Sequence, residues 1–179
     1  MTRLLNTRTT LKKLTAGLCV ALGLGLAAPS IAQADDEPLV TFKVLSPEMA
    51  LAAATAALEA CRADDHQVAV AVVDRFGVEQ VILRDRYAGP HTPDTATRKA
   101  RTAVSFRTPT LELVRMMETE PTFSGLGGVK DAIMLGGGLP IEAAGSIVGG
   151  IGISGAPCGE CDETCAQAGI EAIEADIAF

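Results

Sequence analysis

The sequence predicts an α+β domain: a five-stranded antiparallel sheet carrying its N- and C-terminal helices on one face. Three observations carry that prediction. An alanine-rich helical pattern precedes two β-branched runs separated by a short turn. Three further apolar runs, split by glycines, follow a polar helical middle. A last amphipathic pattern then closes the chain.

Ser46-Pro47-Glu48 opens the first helix, with Ser as cap, Pro at the first helical position and an acid in the first turn. That helix runs through MALAAATAALEACR and stops before Ala63, its alanines suiting close packing on a sheet. QVAVAVVD (67–74) is nearly continuous in apolar character and reads as a buried strand. Arg75-Phe76-Gly77 makes a turn, and VEQVILRD returns as a second strand. Residues 87–93 form a loop punctuated by Gly89-Pro90 and Pro93, after which Asp94 or Thr95 caps a helix through ATRKARTAVSF. Thr108-Pro109 breaks it, Thr110 starts a shorter helix, and 120–130 is a glycine-bearing loop. AIML, LPIEAA and SIVGGIGIS supply three antiparallel strands, whose Gly149, Gly150 and Gly152 leave room for another backbone or a ligand. Asp162 caps the final helix, with Cys165, Ala166, Ile170 and Ile173 inward. This order is a profilin-like arrangement.

Residues 1–34 read as a secretory signal peptide. Arg3, Arg8, Lys12 and Lys13 precede a short apolar run ending at Pro29, and Ala32-Gln33-Ala34 offers a small-x-small cleavage site. The run is short and rich in Gly and Ala for a membrane span, and no Arg-Arg pair marks the twin-arginine route. Cleavage near Ala34 implies a periplasmic or secreted product of 145 residues, with 35–45 a polar leader whose first residues, 35–38, fray, and 46–179 the domain. The 15 Lys and Arg less the leader's four leave 11 against 22 Asp and Glu, a net charge of −11. Such a surface repels nucleic acid and anionic lipid. Trp is absent and aromatics make up 3% of the chain, which disfavours base-stacking platforms. No span of a membrane remains after processing.

VAVAVVDRFG with RDR, the TRKARTAVSF helix and GGGLPI…VGGIGISGAP resemble the GlcG/HbpS family, which includes the carboxy-terminal domain of PduO. The likeness covers about Ser46 to Ile173. It implies the profilin-like fold, haem binding in some members, homo-oligomers, and a sensor partner for secreted ones. It also implies, as an alternative, an accessory or enzymatic role in small hydroxy-acid or diol metabolism. The PduO-type haem ligand is a histidine on the first helix; residues 47–62 contain none, so that ligand does not carry over.

His91 is the candidate haem-iron ligand, because a neutral imidazole offers the lone pair that iron needs. It lies in a loop braced by two prolines. Arg84, Arg86, Arg98, Lys99, Arg101 and Arg107 concentrate six cations within 24 residues of an acidic chain, enough to grip two propionates or another small anion. Tyr87 is a second ligand or a hydrogen-bonding neighbour. The plainer alternative makes His91 a loop residue and the cations a solvated helix face or subunit contact. His66 reads as surface or helix end, and Met116 and Met117 as core filling. No nucleophile elbow or phosphate loop points to catalysis.

Four cysteines remain after the leader, an even count that favours disulfides outside the cytoplasm. Cys61 and Cys165 lie in the two terminal helices, which share a face, and pair first; Cys158 and Cys161 then form a small loop bridge. Other pairings, including bonds between subunits, stay open. A redox-active Cys158-x-x-Cys161 ranks second, making the chain a disulfide-dependent redox partner. A three-thiolate metal site ranks third.

Overall fold

The computed structural model describes residues 38–178. Four strands form one antiparallel sheet: β1 (Ala69–Asp74), β2 (Glu79–Arg84), β3 (Gly138–Ala143) and β4 (Ser146–Ser154), in the order β2-β1-β4-β3. Around it lie α1 (Pro47–Ala63), α2 (Thr92–Phe106), α3 (Thr110–Thr119), α4 (Gly159–Glu171) and the short α5 (Glu174–Ile177). A 3-10 helix at Pro121–Gly128 occupies the expected glycine-bearing loop.

The local signals act as their chemistry dictates. The Ser46 hydroxyl accepts the Met49 N–H, and Pro47 fills the first turn of α1. In the β1–β2 turn, the Asp74 carboxylate accepts the N–H groups of Phe76 and Val78 at 2.8 and 2.9 Å. Ala144 and Gly145 both take positive φ and join β3 to β4, a geometry that matches the twist of paired strands.

β1 is buried on both sides, and its alternating residues feed two cores. Val70 and Val72 face α1 and α4, together with Ile141, Ile151 and Ile153. Each fully buried Ile contributes roughly 1.5–3 kcal/mol relative to exposure. Ala69, Ala71 and Val73 face the opposite side, where they meet Ala96, Ala100 and Val104 of α2. The terminal helices therefore share one face, as expected, while α2 covers the other. Its approach depends on the strand glycines: a Cβ on Gly152 would run into the Ala96 carbonyl oxygen. The gap expected there is filled by a helix backbone.

Two expectations need correction. The sheet has four strands among the described residues, because Ala132–Leu135 joins no ladder. That segment hydrogen-bonds instead to α2: the Ile133 N–H donates to Thr102 Oγ1 at 3.0 Å, and the Ala132 carbonyl accepts Arg98 at 3.0 Å. Asp162 does not cap α4; Cys158 does, and Asp162 lies buried in the first turn. Just before α1, the Leu45 N–H donates to the Val148 carbonyl at 3.0 Å and Leu45 is buried. The expected signal peptide lies outside the described residues.

Candidate functional site

The loop from β2 to α2 is built as a stiff platform. Asp85 turns inward, where its carboxylate accepts two N–H groups of Arg62 while its own N–H donates to Val68. The Arg84 guanidinium closes the loop by donating to the Ala88 carbonyl. Thr92 donates to the Gly89 carbonyl through both its N–H (3.1 Å) and its hydroxyl (2.8 Å). These bonds start α2 at Thr92 rather than at the expected Asp94 or Thr95, with His91 as the capping residue and Pro93 in the first turn.

On that platform the His91 side chain makes no capping hydrogen bond and is exposed. Its ring folds back over Gly89. A Cβ on Gly89 would stand 2.7 Å from His91 Cε1 and 3.0 Å from Nδ1, so the imidazole occupies space that only glycine leaves open. Tyr87 is 79% exposed beside it in the loop, and Arg86 is exposed too.

The six clustered cations do not stay together. Arg84, Arg86, Tyr87 and His91 share the loop. Arg98 lies seven residues beyond His91 on nearly the same helical face, its guanidinium donating to Ala132. Arg101 serves the β1–β2 turn, donating to the Gly77 carbonyl at 2.8 Å and pairing with Glu79 at 2.6 Å. Arg107 takes a left-handed conformation at the end of α2. Lys99 points the other way, into the protein.

Lys99 is 4% exposed; its ammonium donates to Asp162 Oδ2 at 2.7 Å and to the Ile153 carbonyl at 2.9 Å. Asp162 Oδ1 accepts the Ala156 N–H at 3.0 Å. Burial pushes the Asp162 carboxyl above its ordinary range; Lys99, the Ala156 N–H and the charge of His66 pull it partly back. This pair ties α2 to the start of α4. It borders a hollow of about 410 Å³ whose rim includes Leu111, Met134, Gly136 and Cys158. Sequence reasoning counted Lys99 among ligand cations and Asp162 as a cap, so it missed the pair.

A second hollow, of about 560 Å³, lies at the far end of α2 and is lined by Arg75, Arg101 and Arg107 with Phe76, Ser105 and Glu142. Arg75 was not among the expected site residues. It stacks 4.1 Å above the Phe42 ring, which fixes it beside the β1–β2 turn.

Both expected disulfides are present. Cys61–Cys165 joins α1 to α4 with Cα atoms 5.4 Å apart, and Cys158–Cys161 bridges the start of α4. All four sulfurs are therefore engaged, and no group of three or more His, Cys, Asp or Glu among the described residues could hold a metal ion. No helix among those residues is long and apolar enough to cross a membrane.

Known proteins resemble this chain over the same domain. The HbpS double mutant of Streptomyces reticuli is 43% identical and superposes with a TM-score of 0.71, covering 82% of this chain and 97% of that one. The PduOC:heme complex is 33% identical, with a TM-score of 0.67, covering 73% of this chain and 95% of the other. The corrinoid adenosyltransferase PduO of Salmonella typhimurium (strain LT2) is 34% identical over 120 residues, 66% of this chain. The match spans only 35% of that longer protein. Residues 45–171 match the family described as "Haem degrading protein HbpS-like", and the chain belongs to that HbpS-like family.

Proposed function

We propose that the chain is a haem-binding protein in which His91 ligates the iron on the β2–α2 loop. The observation that carries this reading is the exposed imidazole laid over Gly89, with its position set by the loop and no capping bond engaging its nitrogens. A PduOC relative at 33% identity is known as a heme complex, which supports the ligand class. The donor set suits haem: an imidazole for iron, exposed Arg86 and the neighbouring Arg84 and Arg98 for propionates, and Tyr87 beside the macrocycle. Lys99 is spent on Asp162 and acts only by holding α2 in place.

The platform is open on one side. Tyr87 at 79% exposure and Ile82 at 46%, on the edge strand β2, support closure by a second copy of the chain. A sensor, carrier or scavenger role outside the cytoplasm, with export by residues 1–34 and a sensor partner, belongs to the same proposal. The two disulfides support an oxidising compartment. Titrating the apo-protein with hemin tests the reading. A saturable Soret band should form and shift in His91→Ala; absence of saturable binding at micromolar hemin would remove it.

The arginine-lined hollow favours a second reading, in which a small hydroxy-acid carboxylate binds Arg75, Arg101 and Arg107. Thermal melts with glycolate separate the two. Stabilisation by glycolate that vanishes in Arg107→Ala, without any response to hemin, would favour the carboxylate.

A further inference from the structure

The two disulfides differ in what they do for the fold. Cys61 and Cys165 are 0% and 2% exposed and stand 104 residues apart in sequence. Cys158 and Cys161 are half-buried and only three residues apart. A bond across so short a loop restrains the unfolded chain far less, so it contributes little as a staple.

Its placement suits chemistry instead. β4 ends at Ser154, and Cys158 then caps the 13-residue helix α4 with Cys161 in the first turn. The Cys161 N–H lies 3.0 Å from the Cys158 sulfur. A thiolate released at Cys158 would meet that N–H and the positive end of the helix; exposed Glu160 in the same turn opposes this in part. Cys158, not Cys161, borders the 410 Å³ hollow, whose other walls include Leu111, Val114, Met134 and Leu135. An incoming sulfur therefore reaches one sulfur of the bond along an apolar wall, with Lys99, Glu160 and Asp162 completing the lining.

The frame around the motif does not depend on the disulfide. Lys99 and Asp162, which also line the hollow, clamp the 153–162 segment through the Ile153 carbonyl and the Ala156 N–H. None of those contacts involves a cysteine sulfur. We propose that Cys158–Cys161 is a thiol–disulfide exchange site, reduced by an external dithiol that attacks Cys158 from the hollow.

In the first step a thiolate of the dithiol bonds to Cys158 Sγ and the Cys158–Cys161 bond breaks. The Cys161 sulfur leaves with the bonding pair and takes a proton. The donor's second thiolate then attacks the donor sulfur of the mixed disulfide and expels Cys158 as a thiolate. The donor ends as a disulfide, and the protein pair has gained two electrons.

The test uses the full chain, equilibrated under native conditions with graded ratios of reduced to oxidised dithiothreitol, acid-quenched, alkylated and mapped by mass spectrometry. Cys158 and Cys161 should label at ratios roughly tenfold or more less reducing than those that label Cys61 and Cys165, with the circular dichroism spectrum unchanged. Reduction of all four cysteines together, or only with loss of that spectrum, overturns the proposal. Single variants identify the attacked sulfur. The Cys158 thiol in Cys161→Ser should form a mixed disulfide with glutathione disulfide roughly tenfold faster than the Cys161 thiol in Cys158→Ser. Equal or reversed rates overturn the assignment.

Discussion

Replacing Lys99 by Met tests the buried pair that joins α2 to α4. The change keeps most of the side-chain volume but leaves Asp162 facing Leu111, Met134 and the Ile153 carbonyl with no cation. An uncompensated buried carboxylate protonates instead of staying charged, so its cost is capped by the work of holding a proton at the ambient pH. With an unfolded value of 3.8, that cap is about 4.4 kcal/mol at pH 7 and about 0.6 kcal/mol at pH 4. The sign follows from the upward shift. The folded state holds its proton longer than the unfolded state, so stability is full below 3.8 and falls as pH rises through the folded value. Urea unfolding of wild type and Lys99→Met at both pH values should give a destabilisation that is larger at pH 7 than at pH 4, by at most about 4 kcal/mol. Pairing Lys99→Met with Asp162→Leu should recover most of that loss, because an apolar pair leaves no buried charge. An equal loss at the two pH values would refute the reasoning.

Three further outcomes follow from the packing. Replacing Cys61 and Cys165 by Ala should cost about 4–5 kcal/mol of unfolding free energy, measured in urea, because that bond closes the long loop. Gly152→Ala should destabilise by about 2 kcal/mol or more, since its Cβ meets the α2 backbone and neither partner can yield; thermal melting reads this directly. Gly89→Ala should behave differently. The three atoms nearest its Cβ all belong to the His91 ring, a movable side chain, so stability should change by under about 1 kcal/mol while hemin affinity falls roughly tenfold, as absorbance titration would record.

Much of the fold is legible in the residues because the signals are local. Ser46-Pro47, the β-branched 68–73 run and the Asp74-x-x-Gly77 turn each specify their element through contacts within a few residues. The Cys61–Cys165 bond followed from placing two helices on one sheet face. The missing strand was not legible, because an apolar run such as 132–135 reads the same whether its partners are a neighbouring strand or the Thr102 and Arg98 side chains. Asp162 likewise looks like a cap from sequence alone. Only the position of Lys99, 63 residues earlier, reveals it as half of a buried pair. The candidate site was legible as a segment but not as a cluster. At about 100° per residue, α2 sends Arg98, Lys99 and Arg101 in different directions, and proximity in sequence did not become proximity in space.

The chain contains two histidines, His66 and His91, so the iron ligand can be identified without ambiguity. Labelling both with ¹⁵N and recording pulsed electron paramagnetic resonance of the hemin-loaded protein tests the His91 assignment most directly. The account predicts the strong coupling of a directly bound imidazole nitrogen in wild type and in His66→Ala, and its loss in His91→Ala. Retention of that coupling in His91→Ala, or its absence from wild type, would contradict it.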